Sequence, residues 1–384
     1  GPAMLRAAAK NYLWTAPVVD PGLYNEIIEL LTKNGSRLDE AYRRRLAGAT
    51  YSHTAYYDSK ISGYFNGINK IEFPDQLSLG YNVGQNLRYG ENPHQNAVLY
   101  GEFGNIFEKL HGKELSYNNI VDIDAAAKLI LEFDRPACAI IKHTNPCGVG
   151  TAANLSDAYQ KAFATDKDSP FGGIITFNRP VDFETAQTVH GIFTEVIIAP
   201  EFSPEAIELL VTKKNRRLIQ ADFARLGREW NMDLKAVAGG LLMQNADLGL
   251  FGEGTLKVVT KRQPTDEEMM AMMFGWKICK HVKSNSIIYT SSDRTLGVGA
   301  GQMSRVDSAR IAREKAFKMG IDLKGSVVSS DAFFPFADGV MMAVEAGATA
   351  VIQPGGSVRD EEVIKAADEN DIAMVFTGMR HFRH

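Results

Sequence analysis

Cysteine is scarce in this chain. Cys138, Cys147 and Cys279 are the three among 384 residues. They are odd in number and widely spaced, which argues against a disulfide framework and makes a reducing cytoplasm the natural setting. Long apolar runs are missing as well. No stretch approaches the roughly 18 uncharged apolar residues that read as a membrane-spanning helix, and the first residues lack the charged-then-apolar pattern of a secretion signal. There is no excess of positive charge, since 42 Lys and Arg stand against 46 Asp and Glu for a net charge of −4. That balance argues against a protein that neutralises several nucleic-acid phosphates, while leaving room for local basic sites that hold small phosphates. Three familiar motifs also fall short. Gly297-x-Gly299-x-Gly301 lacks the last glycine of the dinucleotide fingerprint, because Gln302 stands in its place and no helix is expected before about Val306. A Gly-x4-Gly-Lys-Ser/Thr loop is absent. Asn145-Pro146-Cys147-Gly148 contains a Pro-Cys pair, yet neither Pro-Cys-x-x-Cys nor His-x-Glu occurs, so no zinc is expected and Cys147 reads as a small packing residue.

What is present suits a sizeable globular protein. A hydrophobic content of 45% over 384 residues is enough for two or three domains with real cores. Gly1-Pro2-Ala3 ahead of Met4 reads as a remnant of tag cleavage. Leu5–Tyr12 reads as an alanine-rich helix, Ala16–Val19 as a short strand and Leu23–Thr32 as an amphipathic helix stopping at Asn34-Gly35. Ser36, with Asp39 and Glu40 behind it, suits the cap of a helix through His53 to about Phe65. Residues 66–86 look like a linker, and the main boundary is expected there.

From Leu87 onward short apolar runs alternate with helical periods, the mark of an α/β protein. Ala137–Ile141, Gly173–Phe177 and Val196–Ala199 read as strands buried on both faces, with helices over Ile123–Phe133 and Ser156–Thr165. Lys213-Lys214-Asn215-Arg216-Arg217 reads as a solvated turn. A second alternating unit is expected from about Gly254: helix Asp266–His281, strands Ser286–Tyr289 and Thr295–Val298, helix Val306–Met319, strand Ser326–Ser329, helix Gly339–Ala346, strand Ala348–Gln353, helix Asp360–Asn370 and strand Ile372–Phe376. The expected division is therefore 4–80, 81–253 and 254–384.

The chemistry is expected in the loops. Lys142-His143-Thr144-Asn145-Pro146-Cys147-Gly148 follows directly on the apolar run Ala137–Ile141, so a cation and an imidazole sit side by side where a buried strand runs out into a turn. Five further loops combine turn glycines or prolines with polar groups: Arg88-Tyr89-Gly90-Glu91-Asn92-Pro93-His94-Gln95, Ser169-Pro170-Phe171-Gly172-Gly173, Lys283-Ser284-Asn285-Ser286, Gly297 to Arg305, and Ser329 to Asp338. Six such loops in one chain suggest one large polar site.

In order from about Leu87 to His384, these segments resemble the transformylase half of the AICAR transformylase/IMP cyclohydrolase family of bifunctional purine-biosynthesis enzymes. Met4–Asn11, Arg43–Leu46 and His53–Asp58 are similar to the final part of that family's cyclohydrolase domain, the rest of which is expected to precede Met4 and to be missing. The resemblance implies an α/β fold of two tandem cytidine-deaminase-like domains, preceded by a mostly helical cyclohydrolase remnant within residues 4–80. It also implies a cytoplasmic homodimer with active sites at the interface, without nucleic-acid or membrane partners.

The implied reaction carries a formyl group from 10-formyltetrahydrofolate, a donor substrate, to the 5-amino group of AICAR. An aromatic amine is a poor nucleophile, and its attack on the formyl carbon builds an oxyanion and a cationic nitrogen. The site therefore needs a base and a positive donor. By resemblance His143 is the proton acceptor and Lys142 the transition-state stabiliser, the imidazole suiting its task because it titrates near neutrality. Arg88, Tyr89, Gly172, Asn285, Arg305, Phe333 and Arg380 match AICAR-binding positions of the family, and Glu195 falls where some members carry Asp. Val306, Asp338, Ser357 and Val358 match folate-binding positions; Asp338 suits pterin-like ring nitrogens, and Gly355-Gly356-Ser357 offers backbone donors. His94 is expected to hold the turn beyond Tyr89. Lys10 matches the lysine of the ring-closing step, with no activity expected from it without the upstream phosphate loops. No metal site is expected, and whether a monovalent cation binds stays open. Two other readings compete with formyl transfer: a complete bifunctional enzyme that also closes FAICAR to IMP, and a non-catalytic folate- or nucleotide-binding homologue. The adjacent Lys142 and His143 weigh against the second, since a pure binder needs neither a base nor an oxyanion donor.

Overall fold

The computed structural model describes residues 1–252 and 256–384. It divides into two compact units, one of residues 1–86 with 98–101 and one of residues 87–97 with 102–384.

The first unit is mainly helical, with α1 (Pro2–Lys10), α2 (Tyr24–Lys33), α3 (Glu40–Ile68) and the strands β1 (Val83–Leu87) and β2 (Ala97–Tyr100). Its core lies where α1 meets α3, at Ala9, Leu46 and Ala47, and Arg43 Nε donates to Tyr12 O at 3.0 Å. Three expectations are corrected here. Ala16–Val19 is irregular, because Pro17 has no amide hydrogen to offer a ladder. Ser36 is not a helix cap. With Gly35 it takes positive φ and its amide donates to Leu31 O at 2.7 Å, so it closes α2 in a Schellman turn. The cap of α3 is Asp39, whose carboxylate accepts from Tyr42 N at 2.7 Å. α1 begins at Pro2. α3 also runs three residues beyond Phe65, into the stretch expected as a linker.

The second unit contains two six-stranded mixed sheets of the same topology. The first consists of β3 (Phe107–His111), β4 (Ala137–Lys142), β5 (Asn145–Thr151), β6 (Ile174–Phe177), β7 (Val196–Ala199) and β8 (Arg217–Ala221), in spatial order β3-β8-β7-β6-β4-β5. Around it lie α4 (Tyr117–Ile130), α5 (Leu155–Thr165), α6 (Phe183–His190), α7 (Pro204–Leu210) and α8 (Phe223–Glu229). An exposed hairpin, β9 (Met232–Val237) with β10 (Gly240–Asn245), comes next. The second sheet, β11 (Lys257–Val258), β12 (Ile287–Thr290), β13 (Thr295–Gly299), β14 (Val327–Ser330), β15 (Ala350–Gln353) and β16 (Ala373–Phe376), has the order β11-β16-β15-β14-β12-β13. Its helices are α9 (Asp266–Cys279), α10 (Arg305–Lys318), α11 (Asp338–Glu345) and α12 (Asp360–Glu369). In each sheet three parallel strands are flanked by an antiparallel hairpin at one edge and a single antiparallel strand at the other. The tandem α/β reading therefore holds. The boundary expected at 253/254 lies outside the described residues.

The two halves meet edge to edge. Gly150 and Arg294 form an antiparallel bridge, Thr151 N donates to Asp293 O at 2.8 Å, and Lys161 pairs with Asp293 at 2.6 Å. Glycines make each edge strand narrow enough for its helix. A Cβ on Gly148 would stand 2.0 Å from Ala162 O of α5, and one on Gly299 would stand 1.9 Å from Ser308 O of α10. The Gly-x-Gly pattern that is not a dinucleotide fingerprint is thus a helix-packing device. β5 has no strand signature in the sequence, because Asn-Pro-Cys-Gly has the composition of a turn, although all but its first residue are buried. The charge cluster is also corrected. Lys213 to Asn215 are exposed, whereas Arg216 is buried with Nη2 donating to His190 O and Ile192 O, and Arg217 opens β8.

Candidate active site

Lys142 ends β4 and pairs across the hairpin with Asn145, so His143 and Thr144 alone make the turn. Both take positive φ, 52° and 63°, as a two-residue type I′ loop demands. That conformation costs an L-residue with a Cβ about 1–2 kcal/mol. The two amides are held by one carboxylate: Thr144 N donates to Asp122 Oδ1 at 2.7 Å and His143 N to Oδ2 at 3.2 Å. The His143 imidazole faces solvent, and Lys142 is half-buried with Nζ donating to Phe171 O at 3.0 Å and Ser169 O at 3.3 Å. Because β6, β7 and β8 have the opposite sense to β4, this tip lies at their N-terminal ends, beside Gly172, Glu195 and Arg217.

The start of α4 collects these groups. Ser116 caps it through a capping box with Asn119, leaving polar side chains at spacings of three and four on one face. Asn118 Nδ2 donates to Glu91 O at 3.2 Å, Asn119 Nδ2 to Glu195 Oε2 at 2.9 Å, and Asp122 accepts from the hairpin turn. The Arg88–Gln95 loop, Glu195 and the Lys-His tip thus share one frame. Arg88 is exposed above the Tyr89 ring. That loop is closed by Gln95, which accepts from Asn92 N at 2.9 Å and from Gly90 N at 2.6 Å, while His94 is exposed, so the role expected of His94 falls to Gln95. Asn118, Asn119 and Asp122 were not singled out from the sequence. Their signal was an Asn-Asn-x-x-Asp spacing in the first turns of a helix that is mainly apolar.

A second cluster forms at the C-terminal ends of β13 and β14 and around the chain terminus, centred on Asp331, which is fully buried. Asp331 accepts from Ser284 Oγ at 2.5 Å and Arg305 Nη2 at 3.2 Å. Arg305 Nε is buried with no protein partner among the described residues. Arg305 and Arg380 both approach the Phe382 ring, at 5.8 and 4.2 Å, and half-buried Phe333 lies two residues past Asp331. Asn285 Nδ2 donates to Gln302 O at 2.9 Å. Val306, Asp338 and Val358 are exposed and Ser357 is half-buried. Of the donors expected after β15, the Gly356 amide is already bound to Asp360 Oδ2 at 2.7 Å.

The two clusters are stitched together by Asn145, whose Oδ1 accepts from Lys283 N at 2.9 Å while its Nδ2 donates to His143 O at 3.0 Å. Beside Lys142 opens a cavity of about 310 Å³ lined by His143, Cys147, Asp166, Gln302 and Lys315, among others, with Asp331, Arg305 and Arg380 outside its lining. Burial pushes the Cys147 thiol up to about 12, so at neutral pH it is an uncharged wall of the cavity. Burial alone would raise the Asp166 carboxyl, but hydrogen bonds from Ser169 and the charge of Lys315 outweigh it and hold the group below its ordinary value. Ionised Asp166 braces the Ser169 turn that receives Lys142. Among the described residues, no group of three His, Cys, Asp or Glu is arranged to hold a metal ion, and no helix is long and apolar enough to cross a membrane.

Residues 8–315 match the family model described as AICARFT/IMPCHase bienzyme. The chain is 56% identical over 387 residues to the bifunctional purine biosynthesis protein PurH of Chloroflexus aurantiacus, covering 100% of this chain and 74% of that protein. It is 52% identical to the PurH proteins of Chlorobaculum parvum and Chlorobium luteolum, covering 100% of this chain and 75% of each.

Proposed function

The chain belongs to the AICARFT/IMPCHase bienzyme family, and from that premise we propose that it transfers the formyl group of 10-formyltetrahydrofolate to the 5-amino group of AICAR. The observation that carries this reading is the hairpin tip, where a lysine and a histidine share a cavity wall with groups from the second α/β half. The amine nitrogen attacks the formyl carbon, and the carbonyl electron pair moves onto oxygen beside the Lys142 ammonium. His143 takes the proton released from nitrogen and passes it on to N10 of the folate as collapse of the intermediate breaks the C–N10 bond, so that tetrahydrofolate leaves neutral and His143 is regenerated. Arg305 and Arg380 suit a monoester phosphate or carboxamide, and Phe333 a heterocycle. Arg88, Tyr89, Gly172, Glu195 and Asn285 complete the nucleotide contacts, with Val306, Asp338, Ser357 and Val358 on the folate side.

The same reading takes the working unit as a cytoplasmic homodimer with sites at the interface, in which residues 81–253 and 254–384 form the two transformylase halves. For ring closure to IMP, the reading is that these 384 residues do not suffice. Lys10 is exposed in the last turn of α1 and forms no ion pair among the described residues.

The test is tetrahydrofolate release, followed by absorbance, with both substrates supplied to the purified chain. A chain that binds AICAR and releases none is a binder, and the reading fails. Incubation with FAICAR and chromatography for IMP tests the second point: conversion above the uncatalysed rate, lost in Lys10→Ala, would overturn it. Sedimentation of a fully active monomer would overturn the dimer.

A further inference from the structure

We propose that Asp122 is a positioning residue for formyl transfer, acting through the backbone of the turn that presents His143. The proposal rests on the reading of His143 as the proton acceptor. Positions 143 and 144 need φ of 52° and 63°, values that glycine, asparagine or aspartate takes most readily and that a β-branched threonine resists. Nothing local to the two residues explains why they adopt it. Thr144 Oγ1 and Asn145 Nδ2 both donate to His143 O, at 2.7 and 3.0 Å, and so satisfy a carbonyl while leaving both amides of the turn without an acceptor inside it. Those amides are met from α4, one on each oxygen of the Asp122 carboxylate.

A carboxylate suits this task because it accepts at two oxygens, whereas asparagine would turn an NH2 group toward one of the amide donors. Two charge-assisted bonds to one planar group fix the peptides on either side of His143 against the helix in orientation as well as distance. The next residues of that helix face, Asn118 and Asn119, hold Glu91 and Glu195. α4 therefore sets the base in the same frame as the loop and the acid beside it. Asp122 contacts the backbone of the tip, and its effect on chemistry passes through where the imidazole is aimed.

The experiment compares the full chain with Asp122→Ala, Asp122→Asn and the double variant Asp122→Ala/Thr144→Gly, in steady-state kinetics, thermal melts and hydrogen–deuterium exchange. Asp122→Ala should lower kcat about 10- to 100-fold while KM for AICAR stays within about threefold, the signature of a misplaced reacting group. Adding Thr144→Gly should restore at least about fivefold of kcat, because glycine takes positive φ without a Cβ penalty. A general loss of stability or of charge would not be repaired that way. Exchange at the His143 and Thr144 amides should accelerate in Asp122→Ala whatever the turnover. If Asp122→Ala does not fold, Asp122→Asn decides, with kcat expected about fivefold down. Retention of more than half of wild-type kcat in the folded variant, or no recovery with Thr144→Gly, overturns the positioning role. A wild-type chain that releases no tetrahydrofolate overturns the functional reading instead, and the exchange rates still decide whether Asp122 holds the turn.

Discussion

Replacing Gly299 by alanine strikes the contact on which the second α/β half is built. The new Cβ would stand 1.9 Å from Ser308 O, with Ser308 C and Cα at 2.6 and 2.9 Å, so the obstacle is helix backbone and not a side chain that can rotate away. Ordinary contact requires α10 to withdraw by about 1.5 Å. Neither partner can yield cheaply, since β13 is buried along its whole length and is the strand next to the other half. Overpacking of this kind costs about 2 kcal/mol or more, which for a unit of this size lowers Tm by roughly 3 °C or more. Arg305 begins α10 three residues before Ser308, so KM for AICAR should rise together with the fall in Tm. Gly227→Ala is the control, because nothing lies within 4 Å of its Cβ in α8 and the change should be neutral or slightly stabilising. Calorimetry and AICAR titration check both variants. A Gly299→Ala protein melting within about 1 °C of the parent would refute the close-packing argument.

His143→Ala should lower turnover by about two to four orders of magnitude, the usual worth of a placed base, and Lys142→Ala by about a hundredfold; either variant keeping more than a third of wild-type turnover at saturation removes that assignment. Burial lowers the His281 imidazole to about 4, against the opposing pull of Glu132, so the folded chain holds it neutral where the unfolded chain protonates it. Stability should therefore drop as pH falls from about 6.5 toward 4, by at most about 3 kcal/mol, and His281→Phe should flatten that part of a denaturation profile. Burial alone would raise the Glu268 carboxyl, but the Arg262 hydrogen bonds prevail and hold it below the ordinary value. Its contribution is present above the unfolded carboxyl pKa and lost as pH falls through the folded one, so acid melts of Glu268→Gln should converge with those of the parent at low pH. Arg380→Ala should raise KM for AICAR by about tenfold or more with little change in kcat, as measured by initial rates, if the guanidinium binds ground and transition states alike.

The sequence alone decided which segments are strands and helices of the α/β part wherever burial runs along the chain. Ala137–Ile141 and Val196–Ala199 are apolar on every residue, so no competing period exists to mislead the reading. It also decided that Lys142 and His143 sit together at a strand end, because neighbours in sequence stay neighbours in space. What it left open were contacts in which one element borrows geometry from another. β5 is a strand because β4 pairs with it and α5 covers it, despite a composition that reads as a turn. Ser36 belongs to the helix before it because Leu31 O accepts its amide. Arg216 is buried by carbonyls of a distant loop. Asp122, 21 residues before His143, is tied to the turn only once α4 has packed on the sheet. Carboxylates, amides and carbonyls find partners across long loops, and the chain carries no periodic mark of that pairing; only the tertiary structure decides it.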